Sequence, residues 1–224
     1  MPRPFVFINS AMSVDGKINS LERRQVRISG SQDMARVDGL RASCDAIMIG
    51  VGTVLSDDPS LRVKSDRLRL ERSDLGRPEN PLRVVADSLA RTPPAAKILG
   101  QDCLVAVSNS APQDRLERLS SRCEIIKCGE GRVDLAELMS ELYERGVKRL
   151  MVEGGAILNW SLIQSGLVDE LYVYMGGLLI GGKDAPTLVD GSGFRKAFPR
   201  LKLISFEPLD EGVLLKWRIA EIRP

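Results

Sequence analysis

Residues 50–59 read Gly-Val-Gly-Thr-Val-Leu-Ser-Asp-Asp-Pro and follow the apolar run Ala-Ile-Met-Ile at residues 46–49. A short apolar run that ends in glycines predicts a buried strand with a sharp turn at its C-terminal end. Ligands of α/β sheets bind at that end, where glycines let backbone N–H groups approach a phosphate. The run approximates Gly-x-Gly-x-x-Gly, but Leu55 stands in place of the third glycine. It is therefore not the usual dinucleotide-binding fingerprint.

The composition is that of a soluble globular protein, with 43% apolar and 28% charged residues in a chain of 224. We predict one domain, residues 1–224, because the pattern of strands and helices continues past the polar segment 64–81, which predicts a solvated loop. A net charge of +2 and 4% aromatic residues give no basis for nucleic-acid binding. No apolar run has the length of a membrane span, and residues 1–5 lack a signal-peptide pattern. We therefore expect a cytoplasmic protein without membrane contact.

The chain contains no histidine. This excludes Ser-His-Asp and Cys-His catalysis and every zinc site that needs imidazole, so we expect no metal. No Cys-x-x-Cys pair occurs, and the four cysteines are expected to be reduced and structural. They are Cys44, Cys103, Cys123 and Cys128. Any chemistry must therefore rely on carboxylates, lysine, tyrosine, water or a cofactor.

Strands and helices alternate along the chain. Apolar runs predict strands at residues 5–8, 46–49, 83–86, 104–107, 124–126, 149–152 and 171–174. Helices are predicted from Ser31, from a capping box of Asp134 and Glu137, and over residues 156–164. The last runs, 201–206 and 213–219, flank a turn and predict an antiparallel hairpin. The expected fold is α/β, a mostly parallel central sheet flanked by helices, with the hairpin at the C-terminus.

Two further strand ends carry polar side chains. Asp15 and Lys17 follow the first strand, either in a simple Asp-Gly turn or in a loop that lines a ligand crevice. Residues 152–156, Val-Glu-Gly-Gly-Ala, end another strand and begin a helix, and backbone N–H groups at a helix N-terminus bind anions. Glu153 would then lie beside an anion site; alternatively, the glycines serve the turn geometry alone.

Residues 177–184 imitate a phosphate-binding Walker loop. Asp184 replaces the hydroxyl that would meet Mg²⁺, and Pro186 falls inside what should be the following helix, so we reject that interpretation. The glycines of this run predict a mobile or tightly turned loop. Three cations, Arg27, Arg41 and Lys64, flank the strand-end loops. Each suits phosphate binding, although such a cation taken alone is more often a solvated surface charge.

Six short motifs occur together in one order. They are Met-Ser-Val-Asp-Gly-Lys at 12–17, Leu-Arg-Ala at 40–42, Gly-Thr-Val-Leu-Ser-Asp-Asp-Pro at 52–59, Val-Ala-Asp-Ser at 85–88, Val-Glu-Gly-Gly at 152–155 and Gly-Leu-Val-Asp-Glu at 166–170. In this order and spacing the chain resembles the riboflavin-biosynthesis reductases from residue 5 to residue 219. That family includes stand-alone archaeal and fungal pyrimidine reductases and the reductase domain of the bacterial deaminase-reductase. The archaeal form is the most similar, because residues 181–187 and 209–212 also match it.

The resemblance implies a dihydrofolate-reductase-like fold, which holds NADPH without the third glycine. It also implies reduction of the ribosyl side chain of 2,5-diamino-6-ribosylamino-4(3H)-pyrimidinone 5′-phosphate to ribityl by hydride transfer to C1′. The deaminated uracil form of the substrate stays open, as does another NADPH reductase of the same fold. NADH in place of NADPH is also left open. The family further implies a homodimer, for which the apolar region 168–180 could supply the subunit contact.

The resemblance assigns site residues position by position. The cofactor residues are Met12, Thr53, Asp57, Asp87, Ser88, Gly155, Ala156, Ile157, Leu158 and Asn159, and the substrate residues are Arg27, Arg41, Leu61, Lys64 and Glu153. Arg41 is the candidate for the 5′-phosphate. Lys64 replaces an arginine of the bacterial domain, and Arg27 replaces a tryptophan. As catalytic residues we expect Glu153, Asp15 and Lys17, which could donate protons or orient the substrate.

Overall fold

The structure is a computed structural model that describes residues 2–22 and 26–220. In these ranges the chain forms nine strands and six helices. They are β1 (Phe5–Ser13), α1 (Ser31–Ser43), β2 (Ala46–Gly50), α2 (Val51–Asp57), α3 (Asp66–Asp74), β3 (Leu82–Ala86), β4 (Cys103–Val107), α4 (Gln113–Ser120), β5 (Glu124–Lys127), α5 (Leu135–Glu144), β6 (Arg149–Val152), α6 (Ala156–Gln164), β7 (Glu170–Gly176), β8 (Leu201–Leu209) and β9 (Gly212–Ile219).

The chain divides into two compact units. The first contains Met1–Phe5 and Val37–Met151, and the second contains Val6–Arg36 and Val152–Pro224. The interpretation of residues 1–224 as one domain stays a prediction. No helix in the described part of the chain combines the length and the apolar character that crossing a membrane requires.

The first unit is built on a parallel sheet. Its strands follow the order β5-β4-β3-β2-β6, and β2, β3, β4 and β5 pair in parallel. The central strands β3 and β4 consist almost entirely of buried residues, Val84, Val85, Leu104 and Val105 among them. This pattern is typical of parallel strands that are covered on both faces, and it explains why the sequence shows continuous apolar runs here rather than alternation.

The second unit joins parallel and antiparallel pairing. Its strands follow the order β1-β7-β9-β8, with β1 and β7 parallel and the other neighbours antiparallel. Asp210 and Glu211 form the turn of the predicted β8–β9 hairpin, and Asp210 adopts a positive φ of 48°. The predicted α/β class with a C-terminal antiparallel hairpin is therefore confirmed.

All the predicted strands are present, as are helices α1, α5 and α6. Two predictions are wrong. Residues 51–57 form helix α2 rather than a turn, and the segment 64–81 contains helix α3 rather than a continuous loop. Helix α4 was not predicted. Asp134 caps α5 by accepting the N–H of Ala136 and Glu137, but the Glu137 carboxylate accepts the N–H of Gly129, so the predicted capping box is only half formed.

The N-terminus of α1 is capped from the hairpin. The carboxylate of Asp210 accepts the N–H of Gln32 at 3.1 Å and the N–H of Asp33 at 2.9 Å. These donors have no partner within the helix, so a distant aspartate takes the place of a local capping residue. Gly30 leaves the room for it, because a Cβ on Gly30 would lie 2.3 Å from Cγ of Asp210.

The C-terminus of α1 is held by Arg72 of α3, which is 3% exposed. Its guanidinium donates to the carbonyl of Ala42 at 2.6 Å, of Cys44 at 2.8 Å and of Pro78 at 2.7 Å. A cation suits the carbonyl end of a helix. This contact explains why a polar segment without an apolar face nevertheless folds as a helix in the first unit.

Candidate active site

The turn after β1 is organised around Asp15 in the second unit. Its carboxylate accepts the hydroxyl of Ser13 at 2.6 Å, the N–H of Ile180 at 3.1 Å and the N–H of Gly181 at 2.7 Å. These hydrogen bonds stabilise the charged form and lower the pKa of Asp15 to about 2, the Ser13 bond contributing most. An aspartate with this pKa is ionised near neutrality, and its carboxylate holds the 180–181 loop through these two N–H groups.

Lys17 shares the same turn. Its N–H donates to the hydroxyl oxygen of Ser13 at 3.0 Å, and its Nζ donates to the carbonyl of Ala185 at 2.9 Å. Lys17 also forms an antiparallel bridge with Thr187. The structure thus brings Asp15 and Lys17 together around one serine. The loop that imitates a Walker motif is held by their side chains.

Glu153 follows β6, half-buried, and precedes the N-terminus of α6. Gly154 has a φ of +101°, which favours glycine, and Gly155 is the N-cap of α6 without a capping side chain. The first-turn N–H groups of a helix lack partners within it and attract anions. The predicted cofactor residues Ala156, Ile157, Leu158 and Asn159 form this first turn.

The glycine cap offers the first-turn N–H groups no side-chain acceptor, and the pyrophosphate of a dinucleotide would supply one. Ile157 is 69% exposed, whereas Ala156, Leu158 and Asn159 are buried, so backbone atoms would make most of the contact. The buried Asn159 donates from Nδ2 to the carbonyl of Leu188 at 2.9 Å, and within the described residues its Oδ1 has no hydrogen-bond partner. Met12 lies half-buried near the end of β1.

In the first unit, Thr53 and Asp57 lie on α2, both half-buried. One oxygen of Asp57, Oδ1, is buried and lacks a hydrogen-bond partner among the described residues. A buried polar atom without a hydrogen-bond partner lowers the stability of the fold unless a ligand or water binds to it. This is consistent with the predicted ligand contact. The neighbouring Asp58 is occupied instead with Lys97, accepting from its N–H at 2.9 Å and from its ammonium at 3.1 Å.

Asp87 and Ser88 follow β3 in the same unit. Asp87 is fully buried, and its Oδ2 accepts the N–H and the hydroxyl of Thr92 at 2.7 and 2.8 Å. Oδ2 of Asp87 therefore shapes the turn at residues 87–92, whereas its Oδ1 is buried and has no hydrogen-bond partner among the described residues. The half-buried Ser88 accepts the N–H of Val133 with its hydroxyl oxygen at 3.0 Å and keeps a hydroxyl proton to donate.

The structure brings together Arg41, Leu61 and Lys64. Asp38, one turn before Arg41 on α1, accepts the N–H of Lys64 at 2.7 Å and of Ser65 at 2.8 Å. The Arg41 guanidinium contacts the carbonyl of Arg62 at 3.4 Å. Leu61 is 2% exposed with a φ of +52°, so it packs inside the first unit next to the segment that carries Lys64.

Asp38 was missed by the sequence reasoning, and its position one helical turn before Arg41 is the only signal that could have suggested it. Arg27 lies ahead of α1 in the second unit, and its side chain is exposed.

The four cysteines have free thiols. Burial raises their pKa values to about 11 for Cys44, Cys123 and Cys128 and to about 12 for Cys103. They stay protonated near neutrality, as expected of structural residues.

Comparison with known proteins identifies close relatives. The 2,5-diamino-6-ribosylamino-4(3H)-pyrimidinone 5′-phosphate reductase of Archaeoglobus fulgidus is 48% identical over 212 residues, which are 94% of this chain and 95% of that protein. The protein of the same name from Methanothermobacter thermautotrophicus is 42% identical over 221 residues, 97% of this chain and 99% of that one.

Solved structures confirm the fold. RibD from Acinetobacter baumannii matches with a TM-score of 0.79 and 26% identity, over 97% of this chain and 58% of that one. Dihydrofolate reductase from Enterococcus faecalis matches over 97% of each chain with a TM-score of 0.51 at 13% identity, which is a likeness of fold alone. The family model described as the RibD C-terminal domain matches residues 4–215. The chain therefore belongs to the RibD C-terminal domain family.

Proposed function

We propose that this chain is an NADPH-dependent reductase of riboflavin biosynthesis. Its substrate would be 2,5-diamino-6-ribosylamino-4(3H)-pyrimidinone 5′-phosphate, whose ribosyl group it would reduce to ribityl. Two relatives that span nearly the whole chain carry the name of this reductase. The geometric observation that carries the proposal is that Arg41 of α1 contacts the anchored segment that carries Lys64, and two cations suit the binding of a 5′-phosphate.

The reaction opens the C1′–O4′ bond of the ribosylamine. O4′ takes up a proton and C1′ takes up a hydride, so the sugar gains two electrons in total. NADPH, when bound, supplies the hydride, and its pyrophosphate would lie on the first turn of α6. The protein contributes mainly by holding C1′ in a productive orientation and by excluding water.

The catalytic residues divide by charge state. Asp15 is ionised near neutrality, and we assign it to loop positioning. The ammonium of Lys17 donates one hydrogen bond to the carbonyl of Ala185, and its other N–H groups could donate to O4′. Glu153 precedes the anion-binding turn of α6, where its carboxylate could accept hydrogen bonds from the sugar hydroxyls. General acid–base assistance of this kind typically contributes about 10²–10⁴-fold.

The direct test is an assay of the purified chain with both base forms of the ribosylamino substrate and with NADPH and NADH. We expect oxidation of NADPH and a ribityl product that is heavier by two hydrogens. Faster reduction of the deaminated base would shift the assignment to the uracil substrate. Dihydrofolate is the control substrate, and its reduction in place of the ribosylamine would refute the proposal.

Two variants test the residue roles. Glu153→Gln should lower kcat for the ribosylamino substrate, and an unchanged kcat and KM would remove Glu153 from the site. Arg41→Ala should raise the KM of the phosphorylated substrate much more than the Kd of NADPH. An equal loss of both affinities would contradict the assignment of Arg41 to the 5′-phosphate.

We also propose a homodimer, with a different contact from the one expected. Much of the region 168–180 is interior, because β7 lies between β1 and β9 and is almost wholly buried. Within the described residues β8 pairs only with β9 and exposes apolar side chains, namely Leu201, Leu203, Ile204 and Phe206. A second copy that covers this surface would remove it from water. Light scattering of wild type and Phe206→Glu tests this: a monomeric wild type would refute it.

Two finer assignments stay open to experiment. The preference for NADPH over NADH is part of the assay above. The cytoplasmic location expected from the sequence stays a prediction, which fractionation of cells that express the chain would check.

A further inference from the structure

Residues 62–65 run outside regular secondary structure, yet side chains satisfy much of their backbone. Asn80 accepts the N–H of Val63 at 2.9 Å, and Arg69 donates to the carbonyl oxygens of Val63 and Lys64 at 2.9 and 3.0 Å. Val63 is 1% exposed, whereas its neighbours on both sides, including Lys64, are exposed. The segment is therefore a fixed platform that directs its cationic side chains outward.

The N–H groups of Lys64 and Ser65 both donate to Asp38. Each carboxylate oxygen takes one of them, Oδ1 from Lys64 at 2.7 Å and Oδ2 from Ser65 at 2.8 Å. Asp38 is 8% exposed, so this two-pronged contact is largely shielded from water. Hydrogen bonds to a buried carboxylate are short and strong, and they define the position of the segment relative to α1.

Asp38 and Arg41 are three residues apart on α1, and residues at this spacing are neighbours on a helix surface. The contact that holds Lys64 thus lies next to the side chain of Arg41, which itself contacts the carbonyl of Arg62. Because the Asp38 oxygens accept from backbone N–H groups, the carboxylate sets the position of Lys64 without occupying its exposed ammonium.

We propose that Asp38 is a positioning residue for the phosphate of the substrate, which fixes the segment 62–65 on α1 so that Lys64 and Arg41 act together. The inference rests on the proposed function, because it requires a phosphorylated substrate. Asp38 touches neither the phosphate nor the reacting atoms. Its effect is to convert two long, flexible cations into one preorganised site.

The chain offers a matched control in Asp45. This carboxylate also accepts two consecutive backbone N–H groups, from Lys148 at 2.9 Å and Arg149 at 2.8 Å. It precedes β2, and so lies at the end of that strand opposite to the loop that carries the motif. Asp45→Asn therefore removes the charge of a carboxylate that holds two consecutive backbone N–H groups in the same unit, without touching the proposed phosphate grip.

The experiment compares Asp38→Asn with Asp45→Asn in the full chain. In Asp38→Asn an NH₂ group replaces one of the two acceptor oxygens. It faces the backbone N–H of Lys64 or Ser65 and cannot accept a hydrogen bond from it, so the segment 62–65 should be held less firmly on α1. We expect the KM of the phosphorylated substrate to rise about tenfold or more, and that of the riboside without phosphate to change less than about twofold. Asp45→Asn should leave both KM values unchanged. Equal effects of the two variants, or equal loss with both substrates, would overturn the inference.

Binding of ribose 5-phosphate, measured by calorimetry, provides a readout that does not depend on turnover. Its Kd should rise in Asp38→Asn and not in Asp45→Asn; equal Kd values would count against Asp38. If the wild type oxidises no NADPH with either base, the proposed function fails, while the Kd comparison still decides the role of Asp38. Asp38→Glu, which keeps the charge and both acceptor oxygens, replaces Asp38→Asn if the latter does not fold, and should give a smaller rise in Kd.

Discussion

Asp38 in the first unit and Asp15 in the second make the same kind of contact in different surroundings. Each carboxylate accepts the N–H groups of two consecutive residues, 64–65 for Asp38 and 180–181 for Asp15. Asp38 is 8% exposed, whereas Asp15 is exposed to solvent. Water can replace the partner of an exposed donor but not of a buried one. The comparison teaches that burial decides how much each contact contributes to stability.

The largest effect is expected for Asp38→Ala. The variant leaves the partly buried N–H groups of Lys64 and Ser65 without acceptors, and each such loss costs about 1–3 kcal/mol. We expect the free energy of unfolding to fall by about 2–4 kcal/mol, measured by urea denaturation with the slope unchanged. A loss below about 0.5 kcal/mol would mean that water reaches the segment and that the comparison with Asp15 does not hold.

An intermediate effect is expected for Asp45→Ala. Asp45 accepts two backbone N–H groups and pairs with Arg77 at 2.5 Å, and its side chain is 30% exposed. Water can partly replace the lost acceptor, so we expect a loss of about 1–2 kcal/mol in the same urea measurement. A loss of stability equal to that of Asp38→Ala would show that the exposure of the carboxylate does not determine the size of the effect.

The smallest effect on global stability is expected for Asp15→Asn. The exposed N–H groups of residues 180 and 181 can turn to water, so the urea midpoint should change least among the three variants. The loop itself should open, which limited proteolysis can detect as faster cleavage near Gly181. Unchanged cleavage together with a large shift of the urea midpoint would contradict the comparison, because the exposed Asp15 contact would then stabilise the whole fold rather than its loop.

The pH dependence sharpens the same point. The pKa of Asp15 is lowered from 3.8 to about 2, chiefly by the Ser13 hydroxyl and then by the two loop N–H groups. A lowered pKa in the folded state contributes stability that is present above the unfolded value, about 3.9, and is lost as the pH falls through about 2. NMR titration of the Asp15 carboxyl should give its midpoint near pH 2, and Ser13→Ala should raise it.

The strands could be predicted from the sequence because each contains a short run rich in apolar residues, and turn residues separate most of these runs. Helix α3 could not, because Arg72 is its only buried residue and no apolar period marks it. Helix α2 has only seven residues, of which two valines are buried, and this pattern is too short to distinguish from a turn. Such helices form because a neighbouring chain segment stabilises them.

The site was predictable only in part, and for a similar reason. Glu153 could be found because it directly follows the apolar run of β6, and Asp57 because it lies in the motif that follows β2. Asp38 does not, because its partners lie 26 and 27 residues away, and the loop held by Asp15 lies 165 residues away. These distances lie far outside any local pattern, so only the folded chain reveals the contacts.

The contact between Asp210 and the start of α1 has an evolutionary consequence. A side chain at position 30 would displace the Asp210 carboxylate from the start of α1, because a Cβ on Gly30 would lie 2.3 Å from Cγ of Asp210. A lineage that replaces Gly30 must first shorten residue 210 and obtain a local cap for the helix. The two positions should therefore vary together in an alignment of relatives, although 180 residues separate them.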